Sequence, residues 1–280
     1  MKARGNGFTD TGKRRSTNED ALYVDNDLGL FVVSDGMGGH PAGDVASREA
    51  VSAVASYVQA RVQKLDDIRT GRASESELIA IAGNAVARAC RRVYAYAGMH
   101  PETAGMGCTL TVLLVGRDKA AMAHVGDSRL YRERHGALRQ LTVDHTIGEE
   151  LARRGLISRE QMPLLPYGHA LARAVGVHRT VEWDEMLLDL CPGDRFILCS
   201  DGVWGYFPEP EDMVELLDMR EPDQIARTLV MFANAAGGKD NATAVAVDIH
   251  SSAEVESCIP VELETAATAK TLAPSSEAWA

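Results

Sequence analysis

An α+β sandwich is the fold that this chain of 280 residues predicts, and three features point to it. Strand-like segments come first and helical ones after them, twice over, in place of the regular alternation of a parallel sheet. The strand-like segments in the middle of the chain are short and joined by tight turns, which means antiparallel pairing. The composition, 45% hydrophobic and 25% charged, is that of a soluble chain long enough to bury a full core without disulfides or structural metals. Length alone allows one large domain or two.

The elements follow in order. Residues 21–25 and 28–34 are apolar and β-prone, with Asn26-Asp27 as the turn between them. Val51, Val54, Ala55, Val58 and Val62 recur at helical spacing and predict a helix over 51–64. Ser74 and Glu77 have the spacing of a capping box ahead of a second helix, 75–97, whose stripe is rich in alanine and so suited to close packing. These two helices are expected to lie antiparallel over one sheet. Strands are predicted at 108–115, 119–125, 129–134 and 137–141, with Gly116, Asp118 and Gly136 at the turns. A charged helix-like piece and a Pro-containing stretch interrupt the pattern over 144–170, read here as a surface flap. Strands resume at 181–189 and 194–200, helices at 211–218 and 222–235, and a last strand covers 242–249. Beyond residue 250 five glutamates stand against Lys270 among Ala, Thr, Ser and Pro; this tail has little to bury and is expected to be disordered or loosely docked.

Composition also excludes several functions. The net charge of −11 repels a phosphate backbone, and basic residues occur only in short clusters such as Arg14-Arg15 and Arg91-Arg92, so nucleic acid is not an expected partner. The longest apolar runs, Leu30 to Val33 and Val112 to Val115, fall far short of the roughly 18 residues that span a bilayer. Met1 to Asp10 lacks the apolar stretch of a secretory signal. Five cysteines, an odd number without a Cys-x-x-Cys pair, read as core residues of a reducing compartment, and a cytoplasmic location is expected. Nothing in the pattern demands more than a monomer.

The informative residues are aspartates. Leu30 to Ser34 leads into Asp35-Gly36, and Arg195 to Ser200 leads into Asp201-Gly202. Val125-Gly126 precedes Asp127, and Gly237-Gly238-Lys239 precedes Asp240 just before the last strand. One Asp-Gly alone is a turn. Four carboxylates at strand ends would repel one another at one sandwich edge unless protonated or gathered around a cation. No zinc-type His/Cys set accompanies them, and carboxylate oxygens suit Mg²⁺ or Mn²⁺. Two such ions sharing a carboxylate can hold a hydroxide for in-line attack on phosphorus, and an arginine suits the phosphate oxygens.

Taken in order, Thr11-Gly12-x-x-Arg15-x-x-Asn18-Glu19-Asp20, Ser34-Asp35-Gly36-Met37-Gly38-Gly39-His40, Gly107-Cys108-Thr109, Val125-Gly126-Asp127-Ser128-Arg129, Ser200-Asp201-Gly202 and Lys239-Asp240-Asn241-x-Thr243 resemble the metal-dependent protein serine/threonine phosphatases of type 2C, in their bacterial form. The likeness covers about residues 7–249. It implies a four-layer α-β-β-α sandwich of two antiparallel sheets flanked by helices, with a small flap. The catalytic domain would be 1–250 and the tail 251–280. The activity implied is hydrolysis of phosphoserine and phosphothreonine on proteins, opposing a Ser/Thr kinase, with two Mn²⁺ or Mg²⁺ ions and room for a third. Position by position, Asp35 would bridge the two ions and the Gly36 carbonyl would bind one of them. Asp201 and Asp240 would complete the other's shell. Glu19 would reach a metal through water, with Asp20 supporting it. Asp127 with Asp201 would hold the third ion, and Arg15 would bind phosphate. Met37 stands where animal members carry a histidine, which leaves His40 or a metal-held water as the proton donor to the leaving group. Arg153, Arg154 and Arg159 in the flap are candidates for substrate contact. A binding module that kept the fold without the chemistry would have lost ligands, and none is lost here. A hydrolase of small phosphate esters is the other alternative, and the chain has no Walker-type loop for nucleotides.

Overall fold

The computed structural model describes residues 1–37, 42–218 and 221–251. One sheet runs β1 (Lys2–Asp10), β11 (Ala242–His250), β10 (Arg195–Cys199), β7 (Arg129–Arg134) and β8 (Ala137–Gln140). The other runs β2 (Asp20–Asp25), β3 (Leu30–Met37), β5 (Leu110–Val115), β6 (Lys119–Val125) and β9 (Asp184–Asp189), and a short β4 (Gly107–Cys108) pairs with the end of β3. Every paired neighbour is antiparallel.

The pleat explains the layers, because successive side chains of a strand face opposite ways. In β3, Phe31 and Val33 face the second sheet, and Leu30 and Val32 face helices. In β11, Val245, Val247 and Ile249 point between the sheets, while Ala242, Ala244 and Ala246 lie under a helix. Small residues under the helix let it approach; larger ones fill the space between sheets. Each such large side chain, fully buried, stabilises the fold by about 1.5–3 kcal/mol relative to exposure.

Helices α1 (Gly43–Gln59) and α3 (Glu77–Met99) cover the β2–β9 sheet, and α7 (Pro222–Ala236) covers the other. Between α1 and α3 lies α2 (Val62–Arg69). Arg92 near the end of α3 pairs with Glu49 near the start of α1 at 2.5 Å, as expected of antiparallel helices. The alanine stripe is wholly buried at Ala82, Ala85 and Ala89, so the predicted close packing of α3 is found.

Several predicted boundaries shift. β1 was not legible, since its sequence KARGNGFTD has no apolar alternation; pairing with β11 over all nine residues creates it. α1 begins eight residues before the valine periodicity does, its first turns burying only the small Gly43, Ala46, Ser47 and Ala50, and it ends at Gln59, so Val62 of the predicted 51–64 helix opens α2 instead. The capping box does not form. Ser76 is the N-cap and makes no side-chain cap, while the neighbouring Glu75 carboxylate accepts from the amides of Arg117, Asp118 and Lys119 at 2.9, 2.7 and 2.9 Å. The helix predicted over 211–218 divides into a 3₁₀ turn, Pro210–Met213, and α6 (Val214–Leu217). Among the described residues no helix is long and apolar enough to cross a membrane.

Residues 144–170 hold α4 (Ile147–Arg153), capped by the Thr146 hydroxyl, and a 3₁₀ turn at Arg159–Leu164. The segment is tied to the sheet at its start, where the His145 amide donates to the Gly126 carbonyl at 2.7 Å. The His145 ring lies 4.9 Å from that of His124, which is wholly buried and bonded to the Thr111 hydroxyl through Nδ1 at 3.0 Å. Burial, and then the neighbouring His145, push the pKa of His124 down to about 3.

The unfolded chain protonates His124 near pH 6.5 and the folded one only near 3, so this group's stabilisation is lost as pH falls below 6.5. Between pH 7 and pH 5 the loss is roughly 2 kcal/mol. Urea unfolding at the two pH values should therefore show a smaller loss for His124→Gln than for the natural chain by about that amount. Equal losses would mean that His124 titrates alike in both states.

Candidate active site

The two sheets bring their chain ends together along one edge. The register of β2 with β3 sets Asp20 opposite Asp35. Asp201 begins α5 (Asp201–Trp204), a single turn at the end of β10 that the sequence pattern did not predict. Asp127 follows β6 and Asp240 precedes β11. The charges of Asp20, Asp127 and Asp201 all act on Asp35, those of Asp240 and Arg15 on Asp201, and those of Glu19, Asp201 and Asp240 on Arg15. All the predicted side chains thus share one electrostatic neighbourhood.

The acids are held there against their mutual repulsion. Burial, then the charges of Asp20, Asp201 and Asp127, keep Asp35 well above the usual carboxylate range, with a hydrogen bond to Asp201 adding to the effect. Burial and the charges of Asp201 and Asp144 raise Asp127 to about 8. Asp20 is raised to about 7 by burial, although hydrogen bonds from Thr243 and Ser200 work the other way. Asp201 is raised by burial and by Asp240. Glu19 is raised by burial, with Arg15 opposing.

A polar scaffold fixes the backbone beneath them. The Asp35 amide donates to the Thr109 hydroxyl, and the Thr109 amide donates to the Asp35 carbonyl, both at 2.8 Å. Ser200 Oγ donates to Asp20 Oδ2 at 2.8 Å and accepts from the Thr243 amide at 3.0 Å. Gly36 is wedged so closely that a Cβ there would stand 2.0 Å from the Gly43 carbonyl oxygen. Gly12, at φ +79°, lies in the left-handed region, and a Cβ would stand 2.2 Å from the Asp240 carbonyl oxygen. This turn carries the loop that ends in Arg15, whose Nη2 donates to Asp240 Oδ2 at 2.7 Å.

The donors fit a hard divalent cation in kind. All are oxygens, the carboxylates destabilise one another, and Asp20 Oδ1 and Asp201 Oδ1 are buried without a hydrogen-bond partner among the described residues. Among those residues no three His, Cys, Asp or Glu side chains close into a ready-made cage. Asp35 stands instead with Asp201, and Asp240 with the Arg15 guanidinium.

A family model for protein phosphatase 2C matches residues 11–227. The chain belongs to the protein phosphatase 2C family. It is 34% identical over 245 residues to the serine/threonine phosphatase stp of Listeria welshimeri, covering 86% of this chain and 93% of that one. The serine/threonine phosphatase PstP/Ppp of Mycobacterium tuberculosis superposes with a TM-score of 0.79 at 33% identity, over 90% of this chain and 100% of that one. The catalytic domain of PstP solved with two manganese ions gives 0.76 at 33% identity, over 89% and 99%. The fold of the protein phosphatase 2C family, two antiparallel sheets between helices, is the one found here.

Other members of the constellation escaped the sequence reading. Asn241 accepts from the Glu19 amide at 2.8 Å and donates to the carbonyls of Thr11 and Thr17 at 2.9 Å each, so it pins both ends of the Arg15 loop. Asp44 acts on Glu19, and its Oδ1 is buried without a hydrogen-bond partner among the described residues. Its signal was available: Gly43-Asp44 has the same glycine-flanked aspartate as the four singled out. Arg129 pairs with Asp144 at 2.7 Å and lies 3.5 Å over the Trp204 ring, whose Nε1 donates to the Asp127 carbonyl at 2.9 Å. Met37 ends β3, and His40 lies outside the described residues.

Folding favours the protonated form of these raised carboxylates, so without metal they destabilise the fold increasingly as pH rises from about 4 to about 8. Asp127→Asn should therefore stabilise the chelator-treated protein at pH 8 by roughly 1–3 kcal/mol. The gain should shrink at pH 5. Thermal unfolding at both values checks this, and a lower melting temperature for the variant at pH 8 would contradict it.

Proposed function

We propose that the protein is a metal-dependent serine/threonine protein phosphatase whose active centre is the carboxylate edge. The observation that carries the reading is the convergence of Asp35, Asp201 and Asp240 with Arg15 where the two sheets meet. In this reading Asp35 and the Gly36 carbonyl would help to hold two Mn²⁺ or Mg²⁺ ions. Asp201 and Asp240 would complete the set of ligands, with Glu19 as an outer support, and Asp127 with Asp201 would hold a third ion. Bound there, such ions supply a water nucleophile active near neutral pH and neutralise charge on the phosphoryl group. Overall, water oxygen forms a bond to phosphorus, the bond from phosphorus to the seryl or threonyl oxygen breaks, and that oxygen takes up a proton.

Arg15 orients the phosphate. It is half exposed and its ion pair is with Asp240, so one carboxylate oxygen can be exchanged for phosphate oxygens with little movement. Asn241 and the Gly12 turn keep its loop in place. The catalytic unit is residues 1–250, with 144–170 as a flap and 251–280 as an acidic tail, of which 252–280 lies outside the described residues. In the flap Leu156, Leu164 and Tyr167 are 66, 80 and 83% exposed, and Arg153 makes no ion pair among the described residues. Arg154 and Arg159 are held by Glu150 and Glu149, which leaves Arg153 and the apolar side chains to meet a phosphoprotein. The substrates are products of a Ser/Thr kinase. The protein acts as a monomer in the cytoplasm, in keeping with the free thiols of Cys90, Cys108, Cys191 and Cys199.

Metal-stripped protein should release phosphate from a phosphothreonine peptide only when Mn²⁺ or Mg²⁺ is restored, and Asp201→Asn should lower that rate at least about 100-fold. Arg15→Ala should raise KM about tenfold and leave kcat nearly unchanged. Folded protein that releases no phosphate with either metal would refute the assignment.

A further inference from the structure

A groove of about 540 Å³ lies between α1 and α3 on the helical layer, and none of the carboxylates of the active edge lines it. α3 contributes Arg88, Arg91 and Arg92, which share one helix face by their spacing. α1 contributes the hydroxyls of Ser52 and Ser56, and Arg61 follows its end. Two of the four arginines are already positioned. Arg61 lies 3.3 Å over the Tyr57 ring and donates to the Tyr57 carbonyl at 2.8 Å, and Arg92 is held by Glu49. Arg88 and Arg91 are exposed and make no hydrogen bond or ion pair among the described residues.

This is a local reversal of sign in a chain of net charge −11. On the first sheet, by contrast, Arg129, Arg134 and Arg195 are each matched to an aspartate, Asp144, Asp194 and Asp248. Here Glu49 is the one acid among the described residues that is ion-paired to any of the four. Guanidinium groups bind phosphate oxygens in a bidentate fork, and serine hydroxyls add neutral donors. A long polyanion would meet the acidic remainder of the surface, whereas a single phosphate on a flexible segment would meet only the groove.

We propose that the α1–α3 groove is a docking site for a phosphorylated segment of a partner protein, distinct from the catalytic edge. The phosphate lies between Arg88 and Arg91, with Arg61 and Arg92 at its sides and the serine hydroxyls donating from α1. The site binds phosphate without hydrolysing it, since no carboxylate cluster faces it.

The test is calorimetric titration of the Mn²⁺-loaded full chain with a peptide bearing a non-hydrolysable phosphonate analogue of phosphoserine, beside the double variant Arg88→Glu, Arg91→Glu. Two peptides should bind the natural chain and one the variant, the groove affinity falling at least about tenfold. Unchanged hydrolysis of p-nitrophenyl phosphate by the variant shows that it is folded. One peptide bound to the natural chain and none to the variant would support the groove while removing the catalytic edge as a phosphate site. Equal stoichiometry and affinity in both proteins would overturn the proposal, as would equal binding of the unphosphorylated peptide at the groove.

Discussion

The fold keeps several buried carboxylates together at one sandwich edge although they repel one another. A carboxylate out of water costs several kcal/mol unless it is paired, protonated or near a cation, so such a cluster never assembles for its own stability. What holds it is the backbone. Antiparallel registers fix Asp20 opposite Asp35, and β10 and β11 run side by side between Asp201 and Asp240. The Thr109, Ser200 and Asn241 hydrogen bonds then lock the strand ends so that the side chains cannot turn away.

That rigidity comes from the core behind the edge. Phe31, Val33, Phe196, Leu198, Val245 and Val247 interdigitate between the sheets, while alanines on the outer faces let α3 and α7 approach. The alternation of large and small residues in β11 sets the spacing of both the inner and the outer layer, so a single strand ties the core to Asp240. Close packing of this kind transmits little slack, and the acids hold their positions against repulsion.

The parts of the fold legible in the sequence are those where hydrophobic period and function agree. β3, β5, β6, β7 and α3 have strong periodicity, and the aspartates are flagged by adjacent glycines. β1 escaped because its pairing with β11 is a tertiary event without a local signal, and the first half of α1 because alanine and serine give periodicity little amplitude. α5 is one turn that continues directly from Ser200, too short to register. The capping box failed for a different reason: the helix starts only at Glu77, whose carboxylate pairs with Lys64, while the Ser74 hydroxyl meets that of Ser76. Asn241 was visible as part of a motif, but its role depends on residues more than 200 positions away that only the folded chain brings near.

Two groups of arginines stand in contrast, and the contrast follows the chemistry around them. Arg129, Arg134 and Arg195 on the first sheet are each locked to an aspartate and partly desolvated, so each pair fixes geometry more than it adds stability. Arg129 is the clearest case: it joins Asp144, where the 144–170 segment begins, to Trp204, which in turn holds the Asp127 carbonyl. The start of that segment and an acid of the active edge are therefore linked by contacts in series. Arg88 and Arg91 take no part in any such lattice. Free guanidinium groups beside pre-positioned ones fix no geometry in the chain itself, which leaves an external anion as the partner that their arrangement suits.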